Sequence, residues 1–527
     1  MVYYLKSSVI AEPLINNWYA SSFLVAPHTY SLILISRIIP ALESFLKSPT
    51  LHQDAAAQKK LQGGIFVGLS HEDLDQAKKL LCKLKNDLLE NHRLAHDIKN
   101  LYRQLKYFSL SGEQFSDFYL SVPESIQGFV ELTYDTLNQP SVKFYEQLLY
   151  RSAYYQEEWQ SVLFYEKNPD DRSFVLSTPR LNIDKSCLLS FPFRNKIFDV
   201  IFSSREIGIS NLELSEISKK FEPEISRKIF LSFFEKFSPK RDSGDFKIKY
   251  FGHACVLVQL MKTNILIDPY IAYENRLSKI SRYSYADLPD VIDYVLLTHS
   301  HLDHASLETL LQIRYKIKNI VIPHNNAGSI LDPSLKLFLY ACGFENIIQL
   351  DEFEKINFFG GNILAIPFMG EHGDLAIQSK ISYVITIADQ SIAFMADSNN
   401  LCAKLYDHIQ KILSKNIDIV FIGMECEGAP VNWLYGPLLM QPLTKAQNQS
   451  RRLNGSDSQG TLSLLKALGC KRAYIYAMGD EPWLKFISSI SESKNSIQSL
   501  EANKLIELAK TEKIIVKRLF GSQEIAL

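Results

Sequence analysis

Four metal-capable side chains fall within six positions of this chain: His299, His301, Asp303 and His304, in the run Thr298-His299-Ser300-His301-Leu302-Asp303-His304. Three of the twelve histidines are gathered there, more than chance supplies to a solvated loop. Residues 291–297 just before it are apolar and β-branched and read as a buried strand. A rigid strand that opens into a ligand-rich loop aims that loop. Alternate residues of an extended segment point the same way, so His299 and His301 can grip one ion. Asp303 and His304 then turn towards a second ion close by. Such a pair of ions suits activation of either water or dioxygen.

The elements that must position this loop run on from residue 246. Strand-like stretches fall at 246–250, 254–258, 264–269, 291–297, 318–323, 346–350, 355–358, 363–367, 383–387, 391–395, 417–422 and 472–476. Helical stretches fall between several of them, at 307–314, 335–341, 401–413 and 460–468. Mixed strands with interspersed helices build layered sheets flanked by helices. With the His-x-His-x-Asp-His loop, the pattern resembles the metallo-β-lactamase superfamily. It implies an α/β fold whose C-terminal domain, residues 241–527, is an αβ/βα sandwich. Residues 1–240 read as a helix-rich α/β domain. Residues 71–104 predict one long helix with Leu74, Ala77, Leu81, Leu84, Leu88 and Leu89 on its apolar face. Residues 174–176 and 197–202 are strand-like, and 210–234 helical. The polar stretch 235–245, with Pro239 and Gly244, is the predicted boundary. No metal-type cluster or internal repeat stands out here; His92 and His96 read as a surface pair.

Bulk properties exclude several classes. A chain of 527 residues makes two or three domains. Lys and Arg number 57 against 58 Asp and Glu, so no global charge points to nucleic acid or a membrane surface. The seven cysteines are scattered without a C-x-x-C pair, the pattern of reduced thiols in a cytoplasmic protein. The first fourteen residues lack the apolar core and cleavage site of a secretory signal. The apolar stretch 31–41 is broken by Arg37 and is too short to span a bilayer.

The superfamily resemblance extends the ligand set. Asp397, at the end of the strand-like run 391–395, matches the bridging aspartate; the competing reading is a cap for the helix that follows. Hydrolytic members place a histidine after the preceding strand, where this chain has Phe368-Met369-Gly370-Glu371-His372. Glu371 and His372 are adjacent, so an extended backbone would point them apart. Hydrolases also supply a late histidine. The last one here is His408, and residues 474–481 contain none. The expected inventory is His299, His301 and Glu371 on one ion, Asp303 and His304 on the other, and Asp397 shared or terminal, with Glu371 and Asp397 closest to the chemistry. Half of these are carboxylates, and hard oxygen donors with imidazole and open positions suit iron.

A narrower resemblance follows from Glu371, from Asp397 and from the segments 12–20, 433–438, 452–456 and 476–483. Over both halves the chain is similar to the non-haem diiron β-hydroxylases of metallo-β-lactamase fold from nonribosomal peptide and antibiotic biosynthesis. That resemblance implies an oxidoreductase, a monooxygenase with two Fe ions and dioxygen as cosubstrate. Its substrate would be an aminoacyl thioester on the carrier domain of a nonribosomal peptide synthetase, hydroxylated at the β-carbon. No flavin or nicotinamide fingerprint is evident, so electrons would come from an external donor, a separate reductase. Residues 1–240 would complete the substrate entrance or build a homodimer. The rival reading is a dinuclear zinc hydrolase of an ester, thioester, lactone or phosphoester. Lesser candidates are His253 as a support to the ligands, Glu425 and Glu427 for ligands or a substrate amine, Tyr435 in the pocket, and Arg451 and Arg452 for a phosphopantetheine phosphate. His324 and His408 read as structural.

Overall fold

In the computed structural model, residues 1–58, 61, 66–108, 113–236, 247–260, 262–387, 389–413, 415–488 and 495–526 are described. Most of the expected boundary, from residue 237 to 245, lies outside them.

The C-terminal half is built on two seven-stranded sheets. In the first, Thr263–Ile267, Ile292–Leu296, Ile317–Pro323 and Ile347–Leu350 run parallel. In the second, Gln390–Phe394, Ile419–Gly423, Arg472–Tyr476 and Ile515–Arg518 do so. The strand period of two sorts the side chains. Ile265 and Ile267 enter the core between the sheets with Ile385, Phe394 and Phe421, while Leu266 faces the outer layer. Helices Ala403–Leu413, Ser458–Ala467 and Ile497–Thr511 cover the second sheet through Tyr406, Leu464 and Leu505. This is the αβ/βα sandwich. The expected strands of this half form, with ends moved by a residue or three.

The outer face of the first sheet is covered by Leu307–Ile313, Leu335–Ala341 and the N-terminal half, in one continuous core. Leu266, Val295 and Ile320 share that core with Val9, Trp18 and Phe23. The N-terminal half contains a four-stranded sheet in the order Trp18–Tyr19, Val9–Ile15, Gln160–Glu166, Cys187–Leu189. Pro27–Lys47 is a helical stretch long and apolar enough to cross a membrane, but 67% of its apolar window is buried inside the protein. Four expectations fail here. Residues 174–176 enter a turn rather than a strand, and 210–234 hold two helices, Asn211–Ser218 and Glu224–Ser232, rather than one helical stretch. The long helix is two, Leu74–Asn86 and Leu89–Phe108. Residues 197–202 are not a strand but the start of helix Ile197–Ser203. Phe198, Ile201 and Phe202 lie on its buried side and Asp199 reaches Arg314 at 2.8 Å, a helical spacing that a short apolar run conceals.

Candidate metal centre

The residues of interest leave the C-terminal ends of neighbouring strands, where α/β sheets place their sites. Asp268 follows Thr263–Ile267, the His299 loop follows Ile292–Leu296, Glu371 follows Gly361–Ile366, Asp397 follows Gln390–Phe394 and Glu425 follows Ile419–Gly423.

Three overlapping groups of donors result, each with ligand atoms within 4.8 Å of one another: His299, His301, Glu371 and His372; His299, His304 and Asp397; and His253, Asp303 and His304. His301 Nδ1 lies 2.9 Å from Glu371 Oε1, and His304 Nε2 lies 3.0 Å from Asp397 Oδ2. The six sequence-derived residues are thus brought together, joined by His253 and His372.

His372 corrects the extended-backbone argument. Residues 370–374 all have positive φ: Gly370 77°, Glu371 53°, His372 58°, Gly373 59° and Asp374 58°. The left-handed turn swings Glu371 and His372 to the same side, and they touch through Oε2 and Nδ1. For non-glycine residues this backbone costs about 1–2 kcal/mol each. Strain of this kind gathers at functional sites. The two glycines also permit close packing, since a Cβ on Gly370 would sit 2.5 Å from Asn399 Cβ.

Outer partners fix the imidazoles. Asp268, fully buried, accepts from Thr298 N at 2.7 Å and Thr298 Oγ1 at 2.6 Å, and lies 2.8 Å from His304 Nδ1. Thr298 Oγ1 in turn lies 3.0 Å from His299 Nδ1, leaving His299 Nε2 buried without a partner. His301 Nε2 lies 3.1 Å from Tyr435 OH. Carboxylate and hydroxyl groups behind the ring nitrogens are how metal-binding imidazoles are oriented. His253 reaches Asp303 Oδ2 at 3.1 Å, and Glu481 fastens its backbone N–H. Asp268 was overlooked at the sequence level, where only the acidic end of its strand hinted at a role.

Electrostatics mark the same cluster. Burial pushes His299 well below the ordinary histidine range, and His304, His301, His372 and His253 push it further. Burial alone would neutralise Glu371, but His301 and His372 hold its carboxyl well below the usual range. Burial, then the carboxylates of Asp397, Asp303, Glu371 and Asp480, drives Glu425 well above its ordinary value. His299 Nε2, His372 Nε2 and Asp397 Oδ1 are buried without hydrogen-bond partners, and Glu371 Oε2 and His372 Nδ1 meet only each other. Orphaned donors of metal-ligating type, converging from three strand ends, fit a pair of cations.

The cluster opens on a cavity of about 90 Å³ lined by His301, Asp303, Glu371, Asp397 and Glu425 and walled by apolar side chains such as Leu176 and Trp433. Other candidates fall outside it. Glu427 is exposed and 3.9 Å from Arg452. Arg451 and Arg452 donate to the carbonyls of Gly373 and Gly428. His324 pairs with Asp351, and His92 bonds the Leu84 carbonyl.

Comparison with known proteins places the whole chain in one family. The family model described as diiron non-heme beta-hydroxylase N-terminal domain matches residues 4–236, and the beta-lactamase superfamily domain matches residues 247–440. The chain is 32% identical over 533 residues to the 4-amino-L-phenylalanyl-(CmlP-peptidyl-carrier-protein) 3-hydroxylase of Streptomyces venezuelae, covering 96% of each. The crystal structure of CmlA, a diiron beta-hydroxylase from Streptomyces venezuelae, matches with a TM-score of 0.93 at 31% identity over the whole of both chains. A glutamate-to-aspartate mutant of CmlA matches at 0.89, also at 31% identity and over the whole of both chains.

Proposed function

The chain belongs to the diiron non-haem β-hydroxylases of metallo-β-lactamase fold, and from that premise we propose that it hydroxylates the β-carbon of an aminoacyl group held as a thioester on a carrier domain of a nonribosomal peptide synthetase. One oxygen atom of dioxygen enters the C–H bond as hydroxyl; the other leaves as water, with two electrons and two protons supplied from outside. Bound diiron supplies the dioxygen activation that an unactivated C–H bond demands and no side chain provides.

The observation that carries this reading is the carboxylate-rich cluster of orphaned donors. In it, His299, His301 and Glu371 would hold one iron and Asp303 and His304 the other, with Asp397 shared or terminal; His372 and His253 stand ready as further donors or supports. Asp268, Thr298 and Tyr435 hold the imidazoles in the tautomers that free the facing nitrogens. Leu302, Leu434, Leu453 and Ile487 line the cavity, keep water from the reacting carbon and hold it in place. A hydrolase is disfavoured because Glu371 stands where a histidine would be. Also, Asp480, in the segment expected to carry the late ligand, pairs with Arg518.

Several partners complete the proposal. Residues 1–240 form a domain that shapes the substrate entrance, since Leu176 reaches the metal cavity, and carries a homodimer contact. A separate reductase delivers the electrons. The seven cysteines are free thiols, which accords with a cytoplasmic enzyme.

The test is turnover by protein reconstituted with iron. It should hold about two irons per chain and, with a reductant, add one oxygen atom from isotopically labelled dioxygen to the β-carbon of a carrier-bound aminoacyl group. Thioester cleavage without dioxygen uptake, by a zinc-loaded enzyme, would favour the hydrolase.

A further inference from the structure

One carboxyl at the metal cavity is left over by the ligand set. Glu425 lines the cavity with His301, Asp303, Glu371 and Asp397. Its carboxyl makes no hydrogen bond or ion pair among the described residues, although its surroundings are built with care. The strand Ile419–Gly423 delivers it against Asp397: a Cβ on Gly423 would sit 2.7 Å from Asp397 Oδ1. Cys426 N–H donates to the Met424 carbonyl at 2.8 Å, closing a tight turn at Glu425. Gly455 N–H donates to the Glu425 carbonyl at 2.9 Å, Leu453 N–H to the Ala429 carbonyl at 2.9 Å, and Gly428 N–H to Asn454 Oδ1 at 3.1 Å. The backbone is held while the acid projects free.

Charge says what is missing. The described residues lining the cavity include four carboxylates and neither lysine nor arginine. In the proposed ligand set, two irons meet Asp303, Glu371 and Asp397, and Glu425 remains. Glu425 is half-buried among these carboxylates with no hydrogen-bond donor of its own, and a cationic donor would supply one. The indole of Trp433, held against Phe174 with ring centroids 5.5 Å apart, lines the same cavity and offers a cation a favourable π face.

We infer that Glu425, with Trp433 beside it, binds the α-ammonium of the carrier-bound aminoacyl group and so sets its β-carbon before the metal pair. This rests on the hydroxylase reading and extends it. The ammonium nitrogen and the β-carbon are both bonded to the α-carbon, so an anchor on the one fixes the other. The enzyme then selects aminoacyl over simple acyl thioesters.

The test uses the whole iron-loaded enzyme and a carrier domain charged in matched pairs: leucyl with 4-methylpentanoyl, and phenylalanyl with 3-phenylpropanoyl. Wild type should hydroxylate the better aminoacyl group about 100-fold more efficiently than its amine-free partner, and Glu425→Gln should bring that ratio near one, mainly by losing the aminoacyl substrate. Glu425→Asp should restore part of it. Two irons should remain in each variant. Equal turnover of both members of a pair by wild type overturns the anchor without any variant. So does an unchanged ratio in Glu425→Gln, or a loss of iron, which would make Glu425 a ligand. Hydroxylation of neither pair by the two-iron enzyme overturns instead the reading on which the anchor rests.

Discussion

Glu308 comes four positions after His304, yet the two belong to groups of buried charge that are finished in opposite ways. Glu308 meets Arg172 at 2.6 Å and Tyr19 OH at 2.9 Å. Arg172 also binds Glu12, which takes Arg180 at 2.5 Å and Tyr165 OH at 3.0 Å. The Arg172 guanidinium stacks 3.6 Å from the Phe486 ring centroid. Every charge in that network has its counter-charge in the chain, and it ties the strand Val9–Ile15 to the helix that follows the metal loop. The His299–His304 cluster, equally buried, leaves His299 Nε2, His372 Nε2 and Asp397 Oδ1 unmet, and Glu371 Oε2 and His372 Nδ1 face only each other. Isolated orphans occur elsewhere, at the indoles of Trp18 and Trp483. What distinguishes the cluster is that its orphans converge and are all of one chemical kind. A closed network serves the fold, whereas an open one is completed by something that binds.

The widest gap between the two regions should come from deleting Asp397. Asp397→Ala is expected to lower bound iron from two towards one and β-hydroxylation by a factor on the order of 1000, since in the proposed ligand set Asp397 serves the metal pair beside His304. In metal-free protein the same change should shift the urea unfolding free energy by only about 1–2 kcal/mol, because Asp397 Oδ1 has no partner and His304, on losing Oδ2, keeps Asp268. A large loss of stability without metal would show that the cluster is structural after all.

Glu12→Gln should give the reverse pattern. It leaves the buried Arg180 without a counter-charge and Arg172 with Glu308 alone, and breaking such a pair costs about 3–5 kcal/mol. Iron content and the ratio between substrates should hold at temperatures where the variant is folded. Urea denaturation with iron analysis on the same sample checks both. A variant as stable as wild type would mean that the network contributes specificity of packing rather than free energy.

How much of this contrast the sequence discloses depends on how local each part is. The motif His299–His304 is legible because strand, loop and ligands are consecutive, and Asp397 and Glu371 follow from their places after strands. His372 is not, because an extended chain would turn it away; only the left-handed run at 370–374 brings it in. Asp268 carries no signal beyond an aspartate at a strand end, and its role appears when Thr298 and His304 fold onto it. The ionic network spans residues 12, 172, 180 and 308, and nothing in their spacing predicts that they meet. The sheets were readable from alternation such as Ile265, Leu266, Ile267. Residues 197–202 were not, since six apolar-rich positions suit a strand and a buried helix equally.

Acid should separate the regions once more, by a smaller amount. Burial would raise Glu12, but Arg180 and Arg172 overcome it and hold its carboxyl near 2, below its ordinary 4.5. A folded-state value below the unfolded one means stability that is present above pH 4.5 and is lost as pH falls from there towards 2. Between pH 5 and 3 this amounts to about 2 kcal/mol. Metal-free wild type also titrates Asp303 and Glu371, both held low by nearby imidazoles once burial is overcome, so its curve alone is ambiguous. Subtracting the curve of metal-free Glu12→Gln removes that shared part. The difference should narrow steadily from pH 5 to pH 3, because the variant has no proton to take up at this position. A difference that stays constant with pH would place the acid sensitivity in the metal cluster and leave the network as neutral packing.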